Sequence, residues 1–314
     1  MTASIGALAP PPATTNAEEH ADWLELVALG DTDRRASIED LVGALRTTSS
    51  TEDLAEERSV DRGSEQAQSI AESAMSLAEE RSISMVRRAD YPFRFSGQTV
   101  TARPSAVRTT YAYLLVLSWF GEDAGPAGVN GASLFEDVAG EAARNYLGGT
   151  KTGAQVYNFG FPRRRTPAKF RPALDDLCRQ MGEGSGSRDR PTVARQKDAK
   201  LDLVAWVPMP DSRTGKIVGF GQCATGRHWK LKVSELQADA WCKKWLRDQP
   251  PVYPIRLFFL PHRINGAELD HHAQDAGIIF DRCRLAAYAS NLNKEMRTRV
   301  SEWTEYVLAE RLGP

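Results

Sequence analysis

Three oxygen-bearing side chains stand out because their types and settings suit a hard divalent cation. Asp202 heads the apolar run Leu201–Val207, and Gln222 lies near the end of a second apolar run, Ile217–Thr225. Between them, Pro208–Gly215 is rich in turn-favouring residues, so an antiparallel hairpin is expected. Period-two alternation puts Asp202, Val204 and Trp206 on one face of the first strand. It puts Val218, Phe220, Gln222 and Ala224 on one face of the second. A polar residue at one end of each strand would set two oxygen ligands side by side at one end of a sheet, and hard cations take oxygen ligands. The third residue is Glu136, whose neighbours at helical spacing are Ala139, Gly140, Ala143 and Leu147, at the margin of an inward face. A carboxylate buried there needs a counter-charge or a cation, because burying it alone is costly.

The elements that must position these residues follow from periodicity. Met1–Asn16 is rich in Pro, Ala and Thr and is expected to stay disordered. Helices are expected over Glu18–Leu29, from Ser37 onward with Ser37 and Asp40 at capping-box spacing, and over Ser64–Arg88. Tyr91–Arg103 alternates as a hairpin around Ser96–Gly97, and Ser105–Phe120 returns to helix. A Gly- and Ala-rich segment near residues 121–132 marks the boundary between two portions. The first, 17–125, is mainly helical. The second, 130–314, begins with a helix from Ser133 that Gly148–Gly149 closes, followed by a strand over Gln155–Phe161 and a helix over Lys169–Met181. The loop Gly182–Arg190 leads into the central hairpin. Beyond it come a helix over Ser234–Leu246, strands over Val252–Leu260 and Gly277–Phe280, and helices over Leu285–Leu292 and Lys294–Leu312. Helices and strands interleaved in this order define an α/β fold, a sandwich of layers.

The chain has 314 residues and a formal charge of −1, which hides an asymmetry. Residues 1–130 carry 11 Lys and Arg against 20 Asp and Glu, a balance of −9, whereas the remainder balances at +8 and contains every lysine. A basic second portion suits a polyanionic partner, and solvated surface charge explains it nearly as well. The acidic first portion fits a packing or protein-docking unit. Its two short helices also raise a helix-turn-helix reader, but a helix facing phosphates is expected to carry Lys or Arg. The four cysteines, Cys178, Cys223, Cys242 and Cys283, form no CxxC pair, which argues against a zinc site or disulfide framework and for a reducing, cytoplasmic location. No signal-peptide pattern opens the chain and no run reaches the length of a membrane span. Phosphate-loop, serine-elbow and partnered-cysteine motifs are absent, and His271–His272 has no neighbouring ligands.

With these residues in place, the second portion resembles the restriction-endonuclease-like PD-(D/E)xK superfamily, in its Mrr-like branch. Phe135–Glu136 looks like the family's helix pair, Gly148 like the glycine after it, Asp202–Leu203–Val204 like the aspartate strand, and Gln222–Cys223–Ala224 like its Gln-x-Lys. The resemblance covers about residues 133–260. It implies a restriction-endonuclease-like mixed sheet flanked by helices and Mg²⁺- or Mn²⁺-dependent hydrolysis of DNA phosphodiester bonds, with Glu136, Asp202 and Gln222 as metal ligands, and a place in restriction or antiviral defence. It departs where the family's lysine would stand, since that position holds Ala224. Lys200, Lys230 and Lys232 are the three amines that could replace it. Around the proposed site, Arg163, Arg164 and Arg165 could contact phosphates or merely be solvated. Arg227, His228 and Trp229 could touch or stack on a nucleotide, and Trp229 could equally anchor its loop. A bland reading makes Asp202 a turn cap, Gln222 a core hydrogen-bonder and Glu136 half of an ion pair. The rival functional reading is a nucleic-acid-binding or scaffold subunit that lost catalysis with the lysine.

Overall fold

The computed structural model describes residues 8–49, 57–85, 91–163, 166–189 and 197–313. In chain order the elements begin with α1 (Ala17–Gly30), β1 (Arg35–Ser37), α2 (Ile38–Ser49), α3 (Glu57–Ser84), β2 (Phe93–Ser96), β3 (Thr99–Ala102) and α4 (Thr110–Phe120). There follow α5 (Gly131–Tyr146), β4 (Gln155–Asn158), α6 (Phe170–Met181), β5 (Leu203–Trp206), β6 (Val218–Cys223), α7 (Ala238–Trp245) and β7 (Ile255–Phe259). The last are α8 (Gly266–Ala276), β8 (Ile278–Phe280), α9 (Arg282–Tyr288) and α10 (Lys294–Leu312). Two compact units result, Met1–Phe120 with Arg297–Pro314, and Gly121–Met296. Most of α10 therefore groups with the first unit, whereas the sequence assigns it to the second.

The first unit is less purely helical than its sequence reads, because α1, α2, α3 and α4 are joined by a three-stranded antiparallel sheet in the order β1-β3-β2. Asn16 caps α1 by accepting from the Glu19 amide at 2.9 Å, with Glu18 and Glu19 in the positive first turn. The capping box of α2 is reciprocal. Ser37 N–H donates to Asp40 at 2.7 Å, and Asp40 N–H donates to Ser37 Oγ at 3.2 Å. Residues 8–16, read in the sequence as part of a disordered tail, instead lean on α1, where Trp23 Nε1 donates to the Leu8 carbonyl at 3.0 Å. Of the expected Ser64–Arg88 helix, residues 86–88 lie outside the described residues.

The second unit is a mixed α/β layer structure. Its five-stranded sheet runs β4-β5-β6-β7-β8, antiparallel from β4 to β6 and parallel from β6 to β8. One face of the β5–β6 hairpin, Val204, Trp206, Val218 and Phe220, packs with Phe170, Leu174 and Leu177 of α6 and Trp241 of α7 in a buried cluster. Helix α5 is capped by Asn130, which accepts from Ser133 N–H at 2.8 Å, and buries Leu134, Phe135, Val138, Ala139 and Ala142. Gly148, with φ of +100°, ends it in the left-handed conformation that glycine adopts most readily. The expected Ser234–Leu246 helix is shorter, since Trp229–Lys232 forms a separate 3-10 turn and α7 starts only at Ala238. Helix α8 was not anticipated, because GAELDHHAQDA carries little apolar periodicity and stays largely outside the core. Among the described residues, no helix is long and apolar enough to cross a membrane.

Candidate functional site

Asp202 sits one residue before β5, where the main chain ties three strands together. Its carbonyl accepts from Phe159 N–H and Gly160 N–H, both at 2.7 Å, and its own N–H donates to Gly221 O at 2.9 Å. The turn leading to it is unusual. Ala199 and Lys200 lie at φ of +57° and +70°, a conformation that costs about 1–2 kcal/mol per L-residue. Asp198 steadies that turn by accepting from Lys200 N–H at 2.9 Å. The Asp202 carboxylate points toward the end of β6 and accepts from Cys223 N–H at 2.7 Å. The β5–β6 register pairs Leu203 with Gly221, and Asp202 N–H donates to the carbonyl of that same Gly221, so the regular pairing ends there and does not set 202 opposite 222 as the sequence suggests.

Glu136 reaches the same corner from α5. Its carboxylate lies against Gly160, so closely that a Cβ at that position would stand 2.5 Å from Oε2. Among the described residues no hydrogen bond or ion pair engages this carboxylate. Burial, then the nearby Asp202, then Asp137, Asp198 and Glu122 push it up from its ordinary 4.5 to about 9. Burial chiefly, then Asp198, lifts Asp202 to about 7, while the Cys223 N–H and the charges of Lys232 and Lys200 pull the other way. Two carboxyls with such neighbours release their protons as a pair.

Gln222 is 4% exposed, and its Nε2 donates to Glu235 at 2.9 Å. Glu235 also meets Lys200 Nζ at 3.2 Å, and Lys230 Nζ meets Glu268 at 2.6 Å. Of the three candidate amines, Lys232 alone has no ion pair or hydrogen bond with a described residue, and its charge is felt at both Asp202 and Cys223. The vacated lysine position has its own explanation. Ala224 is fully buried in an apolar cluster with Trp229, Val233, Phe258, Leu260 and Ile264, where an ammonium would lose its hydration.

Arg163 approaches from the β4 side. It lies 4.5 Å over the Phe159 ring and donates to the carbonyls of Ala168, at 3.1 Å, and Lys197. Burial lowers its pKa, while Asp198, Tyr157 and Glu136 oppose that fall, which places a guanidinium in the field of Asp198 and Glu136. Arg164 and Arg165 lie outside the described residues. Arg227 and His228 are exposed, but Trp229 is 5% exposed and packs edgewise on His272. Trp229 therefore anchors its loop and has no free face on which a base could stack.

The sequence did not single out Asp198 and Glu122, whose charges act on Glu136, or Glu235, which holds Gln222. None lies in a strand or on an apolar helix face, so periodicity offers no signal for them. Among the described residues no three His, Cys, Asp or Glu side chains form a ready-made metal cage. Glu136 and Asp202 nevertheless suit a hard cation, whereas Gln222 follows the strand face of Val218 and Phe220 that packs on α6 and α7, not the face of Val156 and Asn158 that α5 covers. The donor atoms are oxygens, Glu136 lacks a partner, and the acids that raise it are the ones a bound positive charge would offset. Compared with known proteins, the chain finds no match: no family model, no curated protein and no solved structure corresponds to it.

Proposed function

We propose that the second unit is a metal-dependent nuclease that hydrolyses phosphodiester bonds of DNA, and that it serves in restriction or antiviral defence. The observation that carries this reading is Glu136. The bland account gives it an ion pair, and it has none among the described residues, whereas Asp202 and Gln222 each keep one structural hydrogen bond. The order of elements supports the reading too: α5, the antiparallel strands β4, β5 and β6, then α7, then β7 parallel to β6, in the order that the superfamily resemblance implies.

Glu136 and Asp202 would hold Mg²⁺ or Mn²⁺. When bound, such an ion lowers the pKa of a water and offsets the charge that develops on a phosphate. The chain supplies the rest. Lys232 is the amine free to meet the phosphate or the attacking water, since Lys200 and Lys230 are committed to Glu235 and Glu268. Arg163 adds a second positive group beside Glu136, suited to a phosphate oxygen. With only two charged ligands, cation binding is expected to tighten when the nucleic acid contributes its own oxygens.

Cleavage of plasmid and linear DNA with Mg²⁺, Mn²⁺ or EDTA tests this directly. Activity that needs the cation and vanishes in Asp202→Ala and Lys232→Ala supports the enzyme. DNA binding without cleavage, unchanged by both substitutions, overturns it in favour of a non-catalytic binding subunit. Two observations favour that second reading. Ala224 leaves the strand without an amine, and the first unit runs helix, strand, two helices, hairpin, with sheet order β1-β3-β2, as in a winged helix-turn-helix. The register places Arg35 and Arg94 on either side of Thr101 on the solvent face of that sheet, where both are exposed. The exposed acids Glu72, Glu79 and Glu80 of α3 suit a protein partner rather than phosphates.

A further inference from the structure

The sequence offers Trp229 as a ring for a base to stack on, but that ring is enclosed, and the one that stands open beside the acid corner belongs to Phe161. Alternation along β4 carries Tyr157 and Phe159 into the core, and two residues further it would bury Phe161 with them. It does not continue that far. Phe159 N–H and Gly160 N–H both donate to the Asp202 carbonyl, the pattern of a bulge, and beyond it Phe161 is 46% exposed. Gly160 is also the residue that lies against the Glu136 carboxylate, so an aromatic side chain springs from the peptide next to a proposed cation ligand.

The ring has basic company. Lys197 Nζ lies 5.2 Å from its centroid, and Arg163 donates to the Lys197 carbonyl, which ties the two chain segments together. A second exposed apolar side chain, Leu231 at 78%, stands between Lys230 and Lys232 on the 3-10 turn, and the charge of Lys232 reaches Asp202. Apolar faces set among lysines match a nucleic-acid strand, whose flat bases hang from an anionic backbone. In a duplex the base faces already stack on one another, so a protein ring gains a base only where the strand is unpaired or opened. We propose that Phe161, with Lys197 beside it, is the platform on which a base next to the scissile phosphate stacks, and that the site takes single-stranded or locally unpaired DNA. The inference rests on the nuclease reading given above and deepens it by naming the form of the substrate.

Fluorescence anisotropy of the full-length protein with a labelled single strand and with the matching duplex, both in EDTA, tests this alongside cleavage of the same two DNAs in Mn²⁺. The single strand is expected to bind more tightly. Phe161→Ala is expected to weaken it about tenfold, a size usual for one base stacked on an aromatic ring, and to leave the duplex nearly unchanged. Phe161→Trp should keep the affinity, whereas Phe161→Leu, apolar but without a flat face, should lose it as alanine does. Lys197→Met should lower the log–log salt slope of single-strand binding by about 0.7, the loss of one phosphate contact. Equal affinity for the two forms, or a single-strand affinity that Phe161→Ala or Phe161→Leu leaves intact, overturns the stacking role alone. If the Phe161 effect on binding holds but neither DNA is cleaved, or cleavage survives Asp202→Ala, the nuclease reading falls and the platform remains. Failure to bind either DNA overturns both.

Discussion

At Glu136 burial and neighbouring carboxylates act in the same direction, and the sign of that effect is measurable. The folded chain raises the group from 4.5 to about 9, so folding favours its protonated form. The stabilisation is complete below the unfolded value and is lost as pH rises through the folded one; Asp202, lifted to about 7, adds to the loss between about 4 and 7. In EDTA the melting temperature is therefore expected to fall as pH rises from 5 to 9. Glu136→Gln should remove most of that slope and raise the midpoint at pH 8.5 by roughly 5 °C, since ~1 kcal/mol moves a domain of this size by about 2–4 °C. Scanning fluorimetry across pH checks it, and an unchanged slope would show that Glu136 is not held protonated. Gly160 makes the matching point from the other side of the contact. Gly160→Ala puts a methyl within 2.5 Å of Glu136 Oε2, and a loss of about 1–3 kcal/mol with weakened Mn²⁺ binding is expected by denaturant titration and calorimetry.

At the scale of elements, the β5–β6 hairpin and the 3-10 turn after it divide the chemistry between them. The strand pair presents Asp202, while the turn Trp229–Lys232 covers Ala224 and ends on the free amine. Restoring the family lysine at its usual place should therefore fail. Ala224→Lys would force an ammonium among Trp229, Val233 and Phe258, and a loss of several kcal/mol is expected without any gain in cleavage. A stable and more active variant would instead show that the position opens onto the site. The elements themselves were largely legible. Alternation marked both strands to within two residues at either end, and the Ser37–Asp40 spacing marked the start of α2. Helix α8 escaped because its residues are mostly polar and the packing of Ala276 and its partly buried neighbours Leu269 and Ala273 supplies what its pattern lacks.

Across whole units, long-range pairing decides the organisation. Arg81, 1% exposed, meets Glu18 at 2.6 Å, Asp22 at 2.8 Å and Glu25 at 3.1 Å, and Tyr91 and Tyr111 both donate to Glu25. These six residues join α1 and α3 to α4 and to the segment that leads into β2. Arg81→Met would leave three acids around an apolar side chain, and a loss of about 3–5 kcal/mol confined to the first unit is expected. Calorimetry of the full chain should then show the transition of that unit moving down while the other stays. The same unit takes in α10, whose Trp303 packs edgewise on Tyr113 with ring centroids 5.3 Å apart. Nothing in the spacing of residues 294–312 announces so distant a partner.

The amino-acid sequence by itself determined the kinds of elements, the hairpin that carries Asp202 and Gln222, and the helix margin on which Glu136 rides. Those are local properties, written in periods of two and 3.6 residues. Tertiary structure alone decided that Glu136 meets Asp202, that Lys232 and not Lys200 or Lys230 is uncommitted, that Ala224 is enclosed, and that Glu235 holds Gln222. Each of these joins residues whose proximity depends on how layers pack and which charges are left to pair, and periodicity along the chain carries no record of either.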